Sequence, residues 1–436
     1  MPLFEIPNRP GSQVDSKIVK SASKVKKKAS SIRAGNNISK LIAEAKLSVD
    51  RNLRGYEKES LVIRDYQTLE SYIDKSIQNG VIAIDTETNG LDPISDDIVG
   101  VCIYTPNEKT AYVPINHVNY ITLEHIPNQL SREDVAKCLM KLKETNTRII
   151  MFNAPFDIRV IKNQLGVRLV CYWDCYIAAR LLNENEPKGT NNLKSLHNKY
   201  VLDGKVDAFR FDDLFHNIKF SLVPIDTAYL YAAHDAKITY ELYEFQHKYL
   251  YQDNPKEDLR QIYSTFMKIE MPVVDVVVEM EDIGVSFDKE LAGKLSIKYH
   301  KELDEKLDTF YKELSKYSGE IDAYKKSNPN CKLDDPINIA SPKQLQVLLY
   351  DILKIPSVDR KDPRGTGEEI LSKIDHPLAQ LVLDYREFAK LISTYIDKLP
   401  LCVNPKDNRL HCNFDSYGAD TGRFSSKNPK LNWALA

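Results

Sequence analysis

A short apolar run, Val81-Ile82-Ala83-Ile84, leads without a break into Asp85-Thr86-Glu87, and this junction constrains the fold more than any other feature of the chain. A run of four apolar residues with β-branched members reads as a buried strand. Side chains two apart on a strand share a face, so Asp85 and Glu87 address one site. The acids stand where the strand is expected to end and Asn89-Gly90 to turn, at the sheet edge where ligands of open α/β sheets bind. Taken alone, two acids at this spacing are more often a solvated loop than a site.

The surrounding pattern supplies the rest of an α/β domain. Residues 97–105 and 110–115 read as strands separated by a Pro-Asn turn, and Arg148-Ile149-Ile150-Met151-Phe152 as another. Ser131 is placed to cap a helix that Val135, Leu139 and Leu142 line on one face. Helices are expected near 171–182 and from about 226 to 249, and strands followed by helices imply a mixed sheet. Gln252-Asp253-Asn254-Pro255 is the first clear break, after which the pattern is mostly helical, including the charged stretch 298–316. No internal repeat is present. Residues 1–40 carry nine Lys/Arg against two acids, with Lys24-Val25-Lys26-Lys27-Lys28 at their centre, and read as a flexible basic arm. Such an arm is either a solvated tail or a sequence-independent phosphate contact.

Two further acidic elements follow the first. Asn153-Ala154-Pro155-Phe156-Asp157 comes directly after a strand, with Asn153 suited to cap a helix and Pro155 to its first turn. Tyr231-Ala232-Ala233-His234-Asp235 falls inside a helix, where residues four apart share a face. Each has a plain structural explanation: a cap beside a surface acid, and a half-buried tyrosine beside an exposed one. Together they offer four carboxylates, Asp85, Glu87, Asp157 and Asp235, which repel one another unless a cation intervenes. Oxygen-only ligands select Mg2+, with Mn2+ as a substitute, over zinc. Two such ions are the usual means of activating a water and stabilising a leaving oxygen in phosphoryl chemistry. Tyr231, with an ordinary pKa near 10, is suited to orient that water rather than to deprotonate it.

The balance of 60 Lys/Arg against 62 Asp/Glu gives a net charge of −2, so a polyanion has to be held by local basic patches. No apolar stretch is long enough to span a bilayer and the N-terminus lacks the core of a signal peptide. Seven scattered cysteines without a CxxC pair read as free thiols in a reducing cytoplasm.

Asp85-x-Glu87, Asn153-x-x-x-Asp157 and Tyr231-x-x-x-Asp235, in that order, resemble the three motifs of the DEDD exonuclease superfamily, tyrosine subtype. The resemblance implies a ribonuclease H-like mixed sheet flanked by helices. It implies stepwise hydrolysis of a 3′-terminal nucleotide, with Asp85, Glu87, Asp157 and Asp235 as metal ligands and Tyr231 as the remaining catalytic residue. It also assigns Leu91 to wedge against the terminal base and Phe211 to stack on it, with Asn153 and Phe156 lining the single-strand cleft. The alternative for Phe211 is a core aromatic.

The second half resembles the family A DNA polymerases, the bacterial polymerase I kind. Ile269-Glu270-Met271-Pro272 with Gly284-Val285 is similar to the entry into their polymerase domain. Asn338-Ile339-Ala340-Ser341-Pro342-Lys343-Gln344-Leu345 is similar to their thumb, and residues 385–386 and 394–400 to the return toward the palm. Thr421-Gly422-Arg423-Phe424-Ser425-Ser426, with Pro429 and Leu431, is the sharpest match and implies that Arg423 reads the minor-groove side of a primer end. The expected organisation is a basic arm at 1–60, a 3′→5′ exonuclease at 61–252, and a mainly helical thumb with the start of a palm at 253–436. The expected partners are a single-stranded DNA 3′ end and a primer-template duplex. The pattern breaks off after Leu431, so the chain is expected to be the first part of a phage-like polymerase, with palm and fingers on a second chain or a spliced segment. Two alternatives stand beside this: a ribonuclease D-like enzyme acting on RNA, and a non-enzymatic assembly fragment.

Overall fold

The computed structural model describes residues 33–183, 190–206, 209–215, 218–416, 418 and 423–429. Two compact units divide at Asp282/Ile283. The lysine run at 24–28, Thr421, Gly422 and Leu431 lie outside the described residues.

The first unit is built on a six-stranded sheet: β1 (Ser60–Val62), β2 (Val81–Thr88), β3 (Ile98–Tyr104), β4 (Thr110–Pro114), β5 (Arg148–Met151) and β6 (Trp173–Asp174). Their spatial order is β1-β4-β3-β2-β5-β6. β3 runs antiparallel to β2 and β4, while β2 is parallel to β5 and β5 to β6, which makes the sheet mixed as expected. β2 therefore occupies the interior of the sheet, which explains why Val81, Ile82, Ala83 and Ile84 are all buried.

Helices cover the sheet. In chain order they are α1 (Arg33–Leu53), α2 (Tyr66–Asn79), α3 (Arg132–Lys143), α4 (Ala154–Leu165) and α5 (Cys175–Leu182). After them come the short α6 (Leu193–Leu196) and α7 (Phe211–Phe215), then α8 (Ile225–His247), α9 (Glu257–Thr265) and α10 (Met271–Ile283). Ser131 caps α3 as its position predicts, its hydroxyl accepting from the Asp134 amide at 3.1 Å.

Strand β2 carries both acids, as expected, and ends at Thr88 before the Asn89-Gly90 turn, with β3 paired to it through Asp85↔Cys102 and Glu87↔Gly100. Two expectations need correction. The helix expected from 171 begins at Cys175, since Trp173 and Asp174 pair with Ile150 and Met151 as an edge strand. The arm is not flexible throughout. Residues 33–53 form α1, whose Ile42, Ala45, Val49 and Leu53 fall three or four apart and are buried in one cluster with Leu214, Phe215 and Tyr231. The first compact unit runs on past Pro255 through α9 and most of α10. Arg159 of α4, fully buried, holds α10 there by ion pairs to Glu281 (2.7 Å) and Asp282 (2.8 Å).

The second unit is mainly helical. Its core gathers Phe310 and Leu314 from α11 (Lys289–Leu314), Leu345 from α12 (Pro342–Gln346), and Leu378 and Val382 from α13 (Pro377–Leu391). Asp288 caps α11 by accepting from the Leu291 amide at 2.8 Å. Two small antiparallel pairs complete it: β7 (Val285–Ser286) with β8 (Arg409–Leu410), and β9 (Asn413–Asp415) with β10 (Ser425–Lys427). No helix among the described residues is long and apolar enough to cross a membrane.

Candidate active site

Three elements of the first unit carry the acids: β2 with Asp85 and Glu87, α4 with Asp157, and α8 with Asp235. Asp157 is fixed from β2 itself. The Thr86 amide (2.9 Å) and hydroxyl (2.6 Å) both donate to its Oδ1, so the residue between the two strand acids holds the third one. Asp235 is almost wholly buried, with Oδ2 paired to the Lys194 ammonium while Oδ1 has no hydrogen-bond partner.

The electrostatics show how closely the groups crowd. Burial, then the charges of Asp157, Asp235 and Glu87, pushes the Asp85 carboxyl well above the usual range. Burial and Asp235 do the same to Glu87. Burial raises Asp157 to about 7 even against its two bonds from Thr86. Burial also raises Asp235, with Lys194 pulling the other way. Burial and then Asp235 push the Tyr231 phenol far above its ordinary value, so it remains a neutral hydrogen-bonding group. Charged carboxylates so confined require cations to be stable together.

The donor set fits a hard divalent ion. One oxygen each from Asp85 and Glu87 lies within 4.8 Å of the other and of the Cys102 sulfur across the β2–β3 ladder. The buried, unpartnered Asp235 Oδ1 is the kind of polar atom that such an ion satisfies. Burial raises the Cys102 thiol well above its usual pKa, which makes it a neutral neighbour of this oxygen set.

The expected substrate-side residues are placed differently from one another. Leu91 follows β2 in a turn tied by Thr88 Oγ1 donating to Gly90 O at 2.6 Å, and its side chain is 84% exposed. Phe211, half-buried on α7, sits in an aromatic cluster with Phe215 (5.1 Å), Phe220 (6.0 Å) and Tyr231 (6.1 Å between centroids). Phe156 is half-buried in the first turn of α4. Asn153 is exposed and precedes α4 with φ at +62°, a left-handed conformation that asparagine tolerates. Its side chain does not cap the helix. The first unit thus brings together Asp85, Glu87, Asp157, Tyr231 and Asp235. Arg423 belongs to the second unit, exposed, two residues before β10.

Two site residues escaped the sequence reading. Asp174 does the capping expected of Asn153: its carboxylate accepts from the amides of Asn153 (2.9 Å), Ala154 (2.8 Å) and Tyr176 (2.9 Å). An acid just before a helix is a readable cap signal for α5, but its second duty at α4 arises only when β6 pairs with β5. Lys194 sits in no motif at all. Burial disfavours its charge, but Asp235 and Asp85 outweigh that and raise its pKa.

Residues 61–250 match the family model described as 3′-5′ exonuclease, and residues 300–433 the one described as DNA polymerase family A. The chain is 30% identical over 383 residues to the DNA polymerase I of Pseudomonas aeruginosa, covering 85% of this chain and 38% of that protein. It is 29% identical over 400 residues to the DNA polymerase of Escherichia phage T5, covering 85% of this chain and 42% of that one. The chain thus spans about two fifths of the length of these relatives. The fold resembles a solved structure of the POL domain of Pol1 from M. smegmatis in complex with DNA primer-template and dNTP, with a TM-score of 0.60, 18% identity, and coverage of 85% of this chain and 55% of that one.

Proposed function

Because residues 61–250 belong to the 3′-5′ exonuclease family and residues 300–433 to the family A DNA polymerases, we propose that this chain removes nucleotides from single-stranded DNA 3′ ends with Mg2+ as its cofactor. The observation that carries the reading is the electrostatic crowding of Asp85, Glu87, Asp157 and Asp235, with an Asp85 oxygen and a Glu87 oxygen within 4.8 Å of each other. Asp85, Glu87, Asp157 and Asp235 are the residues that would hold two ions. When bound, such a pair lowers the pKa of a water and stabilises the departing 3′ oxygen. Tyr231, kept protonated by its burial, hydrogen-bonds that water and aligns it for attack. Leu91 and Phe211 separate and stack on the terminal bases, a sequence-tolerant contact suited to proofreading, while Asn153 and Phe156 line the strand's path.

In the second unit, Arg423 is assigned to the minor groove of a primer-template duplex. Nucleotide addition is proposed only for an assembly that also contains the remainder of such a polymerase, since the relatives extend well beyond the part matched here. With none of its seven cysteines in a disulfide, we place the protein in the cytoplasm.

The test is release of labelled mononucleotides from DNA and RNA strands of one sequence, with Mg2+ and with EDTA. Metal-dependent shortening of DNA from the 3′ end is expected. Preference for RNA would favour a processing ribonuclease instead, and no hydrolysis of either strand would sink the enzymatic reading.

A further inference from the structure

The carboxylate cluster already contains a cation of its own. Lys194 lies on α6, a turn of helix held by Leu193 and Leu196, both buried, and capped by Asn192, whose side chain accepts from the Ser195 amide at 3.0 Å. The lysine side chain is only 15% exposed. Its ammonium pairs with Asp235 Oδ2 and stands 5.0 Å from the centroid of the Tyr231 ring. It thus touches both members of the third motif, one by charge and the other over its aromatic face. A lysine is rarely buried unless paired, and this one is paired with a residue assigned above as a metal ligand.

We propose that Lys194 is the resident counter-cation of the metal-free exonuclease site, holding Asp235 and Tyr231 in place and giving up Asp235 when a divalent ion binds. The inference rests on the metal-site reading above and adds an exchange to it. An ammonium and a divalent ion cannot both sit close to one small carboxylate without repelling each other, and the lysine takes Asp235 Oδ2 while Oδ1 has no hydrogen-bond partner. A compact ammonium on a flexible four-carbon stem can retreat without disturbing α8, which a planar guanidinium would do less readily. In the absence of metal the ammonium offsets the repulsion among Asp85, Glu87 and Asp235.

Mn2+ serves as the probe, without DNA, on the full chain. Calorimetry on wild type, Lys194→Met and Lys194→Arg should show Mn2+ binding about tenfold tighter in the methionine variant, since a competing charge at contact distance is gone, and weaker than wild type in the arginine one, whose planar guanidinium leaves Asp235 less readily. In the wild-type chain, reductive methylation of Lys194, quantified by mass spectrometry, should rise severalfold on adding Mn2+ as the ammonium leaves Asp235. Unchanged or weaker Mn2+ affinity in Lys194→Met overturns the proposal. So does unchanged labelling of the wild-type lysine, a readout that needs no variant to fold. Neither measurement uses nucleotide release, so hydrolysis by the wild-type chain tests the exonuclease reading separately.

Discussion

Asp157→Asn should make the metal-free first unit more stable above neutral pH while ending nucleotide release. Burial raises the Asp157 carboxyl from 3.8 to about 7. A carboxyl whose pKa is raised by folding binds its proton more tightly in the native state. Its favourable contribution is therefore complete below about pH 4 and is lost as pH rises through about 7. Every tenfold change in proton affinity is worth about 1.4 kcal/mol, so the wild type forfeits at most about 4 kcal/mol by pH 8. Asparagine carries no charge, and its carbonyl oxygen still accepts the Thr86 amide and hydroxyl that Asp157 Oδ1 holds now. Trp173, fully buried between β5 and α8, reports unfolding of this unit. Urea melts in EDTA at pH 5 and pH 8 should show wild type losing about 2–3 kcal/mol relative to the variant, since part of the loss is already complete at pH 5. Saturating Mg2+ at pH 8 should reverse the order, because only the wild type gains a full ligand set. Equal pH slopes for the two proteins in EDTA would refute the argument that Asp157 is held in a desolvated acidic cluster.

Removal of a strand acid, Asp85→Ala, should reduce nucleotide release to a few per cent of wild type or less without unfolding the chain, as measured by mononucleotide assay and circular dichroism. Leu91→Ala and Phe211→Ala should each slow hydrolysis by about tenfold through loss of strand positioning. Leu91→Ala should leave the melting temperature unchanged because its side chain is 84% exposed, whereas Phe211→Ala should lower it. Unaltered rates in both would return Phe211 to the core and Leu91 to an ordinary loop. Asp174→Ala strips three amides of their acceptor and should cost about 2–4 kcal/mol in a urea melt, with activity falling alongside as α4 and Asp157 shift.

Much of the candidate site was legible in the primary structure because its chemistry is local. A strand places residues two apart on one face, and a helix places residues four apart on one face, so Asp85 with Glu87 and Tyr231 with Asp235 could be paired from spacing alone. The mixed sheet, the Ser131 cap and the long helix α8 followed from the same periodicities. The helix α1 carried a readable stripe at Ile42, Ala45, Val49 and Leu53, but the basic residues before it drew the reading toward a flexible arm. The Pro255 turn lies just past the end of the exonuclease match at residue 250, while the Arg159 ion pairs to Glu281 and Asp282 keep the compact unit continuous into α10.

What the chain determines by itself, then, is which residues share a face and which positions can start or stop an element, since those depend on backbone geometry over a few residues. Tertiary structure alone decided which distant groups meet. Asp174 reaches the α4 amides only because β6 pairs in parallel with β5, and Thr86 reaches Asp157 only because α4 follows the strand beside β2. Lys194 finds Asp235 across forty-one residues of sequence because α6 packs against α8. Charge interactions act through space and fall off over a few ångströms, so no spacing rule along the chain could have revealed them.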